Sequence, residues 1–265
     1  MPNWVTELGF LARSENRLRL FRAVADKQPC GRRELQSAVD ASRVTLSRAL
    51  RGLESHGWIR RGVTGYETTP LGDADLDDLG RLKGTIRWST ELRPVVEYVP
   101  FECFDFEVDL LADAEVVIST PDNPLAPVAR ADELMREAGS VSVLAETVTN
   151  STLDSQREAV EAGQEAEIVL SEHLLEMMAA DDRLAEGFRA LLRSGSVSAF
   201  RYDGDVPLTL VVYDGTTVGY GIVDDEGFPR AAIISDDPIV VEHGEELVRR
   251  YRTASKPLSS DPFGN

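Results

Sequence analysis

The chain has very little cysteine, histidine or lysine, and each scarcity removes a class of chemistry. Only Cys30 and Cys103 occur in 265 residues, far apart and without paired-cysteine spacing. That argues against a disulfide framework and against a cysteine zinc site. His56, His173 and His243 are scattered and read as surface or internally satisfied histidines rather than ligands. No apolar run approaches the roughly 20 residues that a membrane-spanning helix needs. The opening MPNWVTELGFLARSEN has neither the basic start nor the long apolar stretch of a signal peptide. A Gly-rich phosphate loop, a dinucleotide fingerprint and G-x-S-x-G are all missing, and VGYG lies inside a predicted strand. The expectation is a soluble cytoplasmic protein with no cofactor, no metal and no membrane partner.

Acid is what the chain has in excess. There are 46 Asp and Glu against 28 Lys and Arg, a net charge of −18. Lysine appears only as Lys27, Lys83 and Lys256, so the basic residues are nearly all arginine. This balance resembles that of proteins from salt-loving archaea. The acid clusters DADLDD (73–78), DD (181–182), DDEG (224–227) and SDDP (235–238) lack the loop length, central glycine and terminal glutamate of a calcium loop. They read as solvated faces, with Asp236 as the cap of a last helix. A hydrophobic content of 42% supports at least one real core, and the length favours two domains.

The charge is divided unevenly. Residues 1–69 hold 12 Lys and Arg against 7 Asp and Glu, whereas residues 70–265 hold 16 against 39. A head suited to polyanions is thus joined to a body that polyanions avoid.

Within the head, Ser14 caps a predicted helix whose apolar stripe is Leu18, Leu20, Phe21, Val24 and Ala25. Pro29 and Gly31 interrupt it. GRRELQSAV reads as a second helix, with Gly31 as N-cap and Glu34 where a capping-box acid belongs. Asp40-Ala41 forms a turn, and Ser42 caps a third helix running to about His56. Leu46, Ala49, Leu50 and Leu53 make its core face, and Val44, Arg48, Arg51 and Ser55 its opposite face. Gly57 stops it, and WIRR and GYETT read as a hairpin around Val63-Thr64-Gly65.

This order of three helices and a hairpin over roughly residues 5–70, with the run SRVTLSRALRGLESHGWIRR, resembles the winged helix-turn-helix domain. The resemblance implies that the third helix enters the major groove of double-stranded DNA, with short polar and arginine side chains at base edges and phosphates. Ser42, Arg43, Thr45, Ser47, Arg48 and Arg51 then take the groove-facing places. Arg60, Arg61 and Tyr66 of the wing would reach the neighbouring backbone or minor groove.

Residues 71–104 read as a helical connector interrupted by Gly72, Gly80 and Gly84, in two pieces rather than one rod. Leu71, Leu76, Leu79, Leu82, Ile86 and Leu92 give it an apolar side suited to homodimer formation or to packing against the chain's own C-terminal domain. Residues 105–254 alternate strands and helices: strands at 114–120, 141–146 and AEIVLS, and helices at 124–138 and 151–162. One or two helices follow over 172–193. VSAFRY, LTLVVYD, TVGYGIV and PRAAIIS are four further strands, and a final helix begins at Asp236-Asp237-Pro238. Residues 255–265 read as a flexible tail. The fold class is α+β: a winged helix-turn-helix followed by a C-terminal α/β domain with a mixed sheet.

The run LAEGFRALLRSGSVSAFRY and the strands after it resemble the effector domain of an archaeal regulator family first linked to methanogenesis. That resemblance implies transcription regulation and allows a small-molecule effector. The same region also resembles a phospholipase D-like fold with the motif H-x-K-x-x-x-x-D. Here Pro207 stands at the histidine position, Thr209 at the lysine position and Asp214 at the aspartate position. Phosphodiester transfer in that family needs the histidine nucleophile and the lysine. Without them the domain is expected to be non-catalytic, with Asp214-Gly215 a hairpin turn. A sugar-sensing archaeal regulator family pairs a winged-helix head with a dead version of this fold. The alternatives are a phosphodiesterase-like enzyme delivered to DNA and a ligand-free scaffold for transcription proteins.

Overall fold

The computed structural model describes residues 4–39 and 41–263. It divides into two units, a head (Met1–Lys83) and a body (Gly84–Asn265).

The head opens with a helix that the sequence pattern does not predict, α1 (Trp4–Ala12). Its Leu11 is buried, and the Phe10 ring lies 4.2 Å from that of His56. In α2 (Glu15–Lys27) the Ser14 hydroxyl accepts the Arg17 N–H, as a capping serine should. Leu20, Phe21 and Val24 of α2 enter the head core. The short α3 (Arg32–Ala38) starts where Glu34 Oε2 accepts the Gly31 N–H at 2.6 Å. Asp40, expected to turn the chain with Ala41, lies outside the described residues. α4 (Arg43–Ser55) buries Leu46, Leu50 and Leu53 on one face. It ends at Gly57, whose φ of +77° only glycine adopts without strain. β1 (Ile59–Arg61) and β2 (Tyr66–Thr68) pair antiparallel, with Arg60 opposite Glu67.

α5 (Pro70–Leu92) is one uninterrupted helix, not the two pieces expected from its glycines. Gly72 and Gly84 are places of close approach rather than breaks. A Cβ on Gly72 would lie 2.0 Å from the Trp58 carbonyl oxygen, and one on Gly84 would lie 2.8 Å from Ala112 Cβ. The expected apolar side is also divided. Leu76 joins the head core and Leu92 the body core, while Leu71, Leu82 and Ile86 are exposed.

The body is an eight-stranded mixed sheet covered by helices on both faces. Its strands are β3 (Glu115–Ile118), β4 (Ser140–Ala145), β5 (Glu165–Ser171), β6 (Val197–Tyr202), β7 (Thr209–Tyr213), β8 (Thr217–Val223), β9 (Pro229–Ser235) and β10 (Lys256–Pro257). They lie in the order β10-β6-β5-β4-β7-β8-β9-β3. β4, β5 and β6 run parallel, and every other pairing is antiparallel. The parallel strands require crossovers, and helices supply them. α7 (Asn150–Glu161) joins β4 to β5, and α8 (Glu172–Ala179) with α9 (Asp182–Arg193) joins β5 to β6. Asp181 accepts the Arg183 and Leu184 N–H groups, which is why residues 172–193 form two helices.

Alternation along each strand divides the core into two layers. Leu210, Val212, Val218 and Tyr220 pack with Val240 and Val248 of α10 (Pro238–Thr253). Val211 and Tyr213 face the other way, into a layer with Met135 of α6 (Ala126–Glu137), Val160 and Phe188. Asp237, not Asp236, caps α10, because its Oδ1 accepts the Ile239 and Val240 N–H groups and Pro238 takes the first helical position.

The tail expected to be flexible is anchored as far as residue 263. Lys256 and Pro257 pair with the edge of β6, the Leu258 N–H donates to Ala199, and Arg189 meets Asp261 at 2.9 Å. Backbone pairing at an open sheet edge decides this, and the side-chain pattern of the tail does not reveal it.

Candidate nucleic-acid interface

α4 sits in the head with its leucine face inward, which projects the opposite face outward. Arg43, Thr45, Arg48 and Arg51 are all exposed, as is Val44 beside them. Ser42 accepts the Thr45 N–H at 3.2 Å, and the two hydroxyls lie 2.9 Å apart. Both therefore shape the first turn of α4. The Arg51 Nε donates back to the Ser47 carbonyl at 3.3 Å, so that side chain lies along the helix.

Ser47 departs from the expected pattern. It is half-buried at the seam with α3, donates to the Arg43 carbonyl at 2.7 Å and accepts from Arg32 at 2.6 Å. Sequence reasoning assigned no role to Arg32 or Arg33. They occupy the first turn of α3, where the helix dipole disfavours a cation, and both are exposed. Arg43 stands in the same unfavourable place on α4, whose first turn holds no acid. Cations at two adjacent helix N-termini are the signal that was available in the sequence.

The wing divides the remaining expectations. Arg61 is exposed, and Arg60 is held across the strands by Glu67 at 3.0 Å. Tyr66 is not available to a ligand, because it is 7% exposed and belongs to the head core. Its backbone exchanges two hydrogen bonds with Cys30, at 2.9 and 3.1 Å, which turns the ring inward. Burial also pushes the Cys30 thiol up, so it stays protonated and acts as core. Among the described residues, no carboxylate pairs with Arg33, Arg43, Arg48, Arg51 or Arg61.

In the body, the positions of the degenerate motif have structural partners. Thr209 Oγ1 accepts the N–H groups of Glu146 and Thr147 at 3.0 and 3.2 Å. Asp214 and Gly215 both have positive φ, and Thr216 N–H closes the turn onto Tyr213. Asp214 Oδ1 accepts from the N–H groups of Gly139 and Ser140 at 2.9 and 2.8 Å. Asp214-Gly215 is thus a hairpin turn that also clamps the start of β4. One acid in each of two acid clusters is spent likewise. Asp75 accepts from Trp58 Nε1 at 2.6 Å, and Asp224 accepts from Phe228 N–H and Arg230.

Residues 124–254 match the family described as the middle domain of the methanogenesis regulatory protein FilR1. Over these residues the body is similar to that middle domain. Ahead of this FilR1-like segment, residues 5–91 match a second family, the HVO_A0261 N-terminal domain. Among solved structures, TrmBL2, an archaeal chromatin protein described as showing a novel mode of DNA binding, is 17% identical. It aligns over 93% of this chain and 97% of its own, with a TM-score of 0.40. Nuc from Salmonella typhimurium, a phospholipase D family member, is 15% identical over 54% of this chain and 97% of its own, with a TM-score of 0.44. NucT from Helicobacter pylori is 10% identical over 55% and 98%, with a TM-score of 0.45. No curated protein matches the chain. No helix among the described residues is long and apolar enough to cross a membrane.

Proposed function

We propose that this chain is a sequence-specific transcription regulator of the cytoplasm, whose head reads duplex DNA through α4. The observation that carries the reading is the arginine face of α4 and the first turn of α3, exposed and without countercharge. Phosphates supply that countercharge, and their contacts give protein–DNA complexes much of their affinity. Arg48 and Arg43 reach base edges or phosphates from the groove, Arg32, Arg33 and Arg61 reach the flanking backbone, and the acidic body repels DNA elsewhere.

The regulator works as a homodimer in this reading. Leu82 and Ile86, four residues apart on α5, are exposed and offer a seam to a second copy. A small effector bound in the body changes operator affinity by its differential affinity for two states of the dimer. The body has no enzymatic role: Pro207 can be neither nucleophile nor proton shuttle, and Thr209 is committed to two backbone N–H groups.

Genome-wide occupancy would identify operators, and fluorescence anisotropy on those fragments tests the residues. Arg48→Ala should reduce specific affinity at least tenfold with an unchanged melting temperature. An unaltered affinity in the double variant Arg43→Ala/Arg48→Ala overturns the reading. Light scattering of Leu82→Glu tests the dimer, and a model phosphodiester assay tests the absence of catalysis.

A further inference from the structure

A half-open cavity of about 150 Å³ lies in the body, on the sheet face opposite α10. Pro127, Val128, Ala131 and Met135 of α6 form its roof, β7, β8 and β9 its floor, and Thr147, Thr149 and Thr152 one end.

The floor is open because β8 carries glycine there. Val218, Tyr220 and Ile222 fill the core on the α10 side, so the alternate positions Gly219 and Gly221 face the cavity. Neither glycine has a positive φ. A Cβ on Gly221 would meet nothing nearer than 3.5 Å, and one on Gly219 would meet Tyr213 at 3.3 Å. Backbone conformation therefore does not demand glycine at 221, although glycine weakens the interior of a strand. What glycine provides is volume, and an unfilled apolar cavity costs stability.

The lining also defines what fits. None of the lining side chains is charged, in a chain that is 28% charged. The polar groups are hydroxyls. Thr209 is occupied by two backbone N–H groups, and Thr149 caps α7. The Tyr213 oxygen lies 3.6 Å from where a Gly219 Cβ would sit, which places it at the floor. Burial raises its pKa far above the ordinary phenol value, so it is a neutral donor.

We propose that this cavity binds a small uncharged molecule, largely apolar, about the size of one aromatic ring and carrying at most one or two hydrogen-bonding groups. The assignment rests on the effector reading of the body and gives that effector a place and a chemistry. A dry apolar cavity of about 150 Å³ in another protein accommodates benzene, which sets the scale. Carboxylates, phosphates and nucleotides find no cation in the lining to offset the desolvation of their charge.

The test uses the full chain with phenol, toluene and benzoate as probes, read by thermal shift and by the NMR signal of the Met135 methyl group. Phenol or toluene should bind saturably, raise the melting temperature and shift the Met135 signal, and benzoate should do none of these. Gly221→Val should fill the floor, raise the melting temperature of the free chain and weaken probe binding at least tenfold. Should Gly221→Val not fold, Ala131→Leu fills the cavity from the roof and is read identically. Absence of any Met135 shift with the neutral probes overturns the assignment, as does equal binding by benzoate or by the filled variants. DNA affinity measured on the same samples separates the two readings, because failure of the probes leaves the DNA result of the head untouched.

Discussion

The Arg32 guanidinium, at the first turn of α3, donates to the Ser47 hydroxyl of α4 at 2.6 Å, and that hydroxyl donates to the Arg43 carbonyl at 2.7 Å. A cation at a helix N-terminus is thereby steered onto the flank of α4. Arg32→Ala should weaken DNA binding several-fold on all sequences alike and reduce the salt slope by about one, as for a phosphate contact. Ser47→Ala should cost about 1 kcal/mol of stability at most, since only an exposed-edge hydrogen bond network is lost. Urea titration and anisotropy on the same samples separate these effects.

Tyr66 and Arg61 are cross-strand neighbours with opposite roles. Truncating a buried aromatic costs about 3–5 kcal/mol, so Tyr66→Ala should unfold the head at much lower urea. Arg61→Ala should leave the urea midpoint unchanged and reduce DNA affinity. A wild-type midpoint for Tyr66→Ala would contradict the inward orientation of the ring.

Six exposed arginines, Arg32, Arg33, Arg43, Arg48, Arg51 and Arg61, form the proposed interface of the head. If each meets one phosphate, log affinity should fall with log salt at a slope of about −5 per head. That slope assumes that the acidic body adds no further contacts. A KCl series that gave a slope near −10 per head would place phosphate contacts on the body as well.

His243 accepts the Asp105 N–H at Nε2 and meets the Tyr220 hydroxyl at Nδ1, with the Phe106 ring edge-on to it. Burial lowers its pKa, against the opposing pull of Asp105. Because the folded value lies below the unfolded one, its stabilising contribution is complete above about pH 6.5 and lost as pH falls through the folded pKa. Glu146, pushed up by burial, changes in the opposite sense. The informative quantity is therefore the difference between wild type and His243→Gln. That difference should shrink as pH falls below about 6.5, and urea midpoints across pH 5–8 would measure it.

Much of the architecture was readable in the chain because local rules govern it. Ser14, Ser42 and Gly57 bound their helices as expected, and LTLVVYD and TVGYGIV form the strands they were expected to form. α1 escaped because its pattern carries no clean stripe, and Leu11 is its one buried residue. The glycines of α5 were read as breaks because spacing does not reveal that Trp58 and Ala112 press against them. Of the candidate interface, the arginine face of α4 was legible from its period of 3.6. The roles of Ser47, Arg32 and Tyr66 were not, since each depends on a partner from another element.

By itself, the sequence determined the acidic body and cationic head, the helix caps and the strand and helix periods. All of these depend on charge totals or on neighbours within about one helical turn. Only the tertiary structure decided which arginines keep no carboxylate, that Tyr66 turns inward, and that Gly219 and Gly221 open a cavity beneath α6. Those outcomes depend on residues far apart in the chain meeting in space, and the side-chain period of a strand does not say what lies across the sheet face from it.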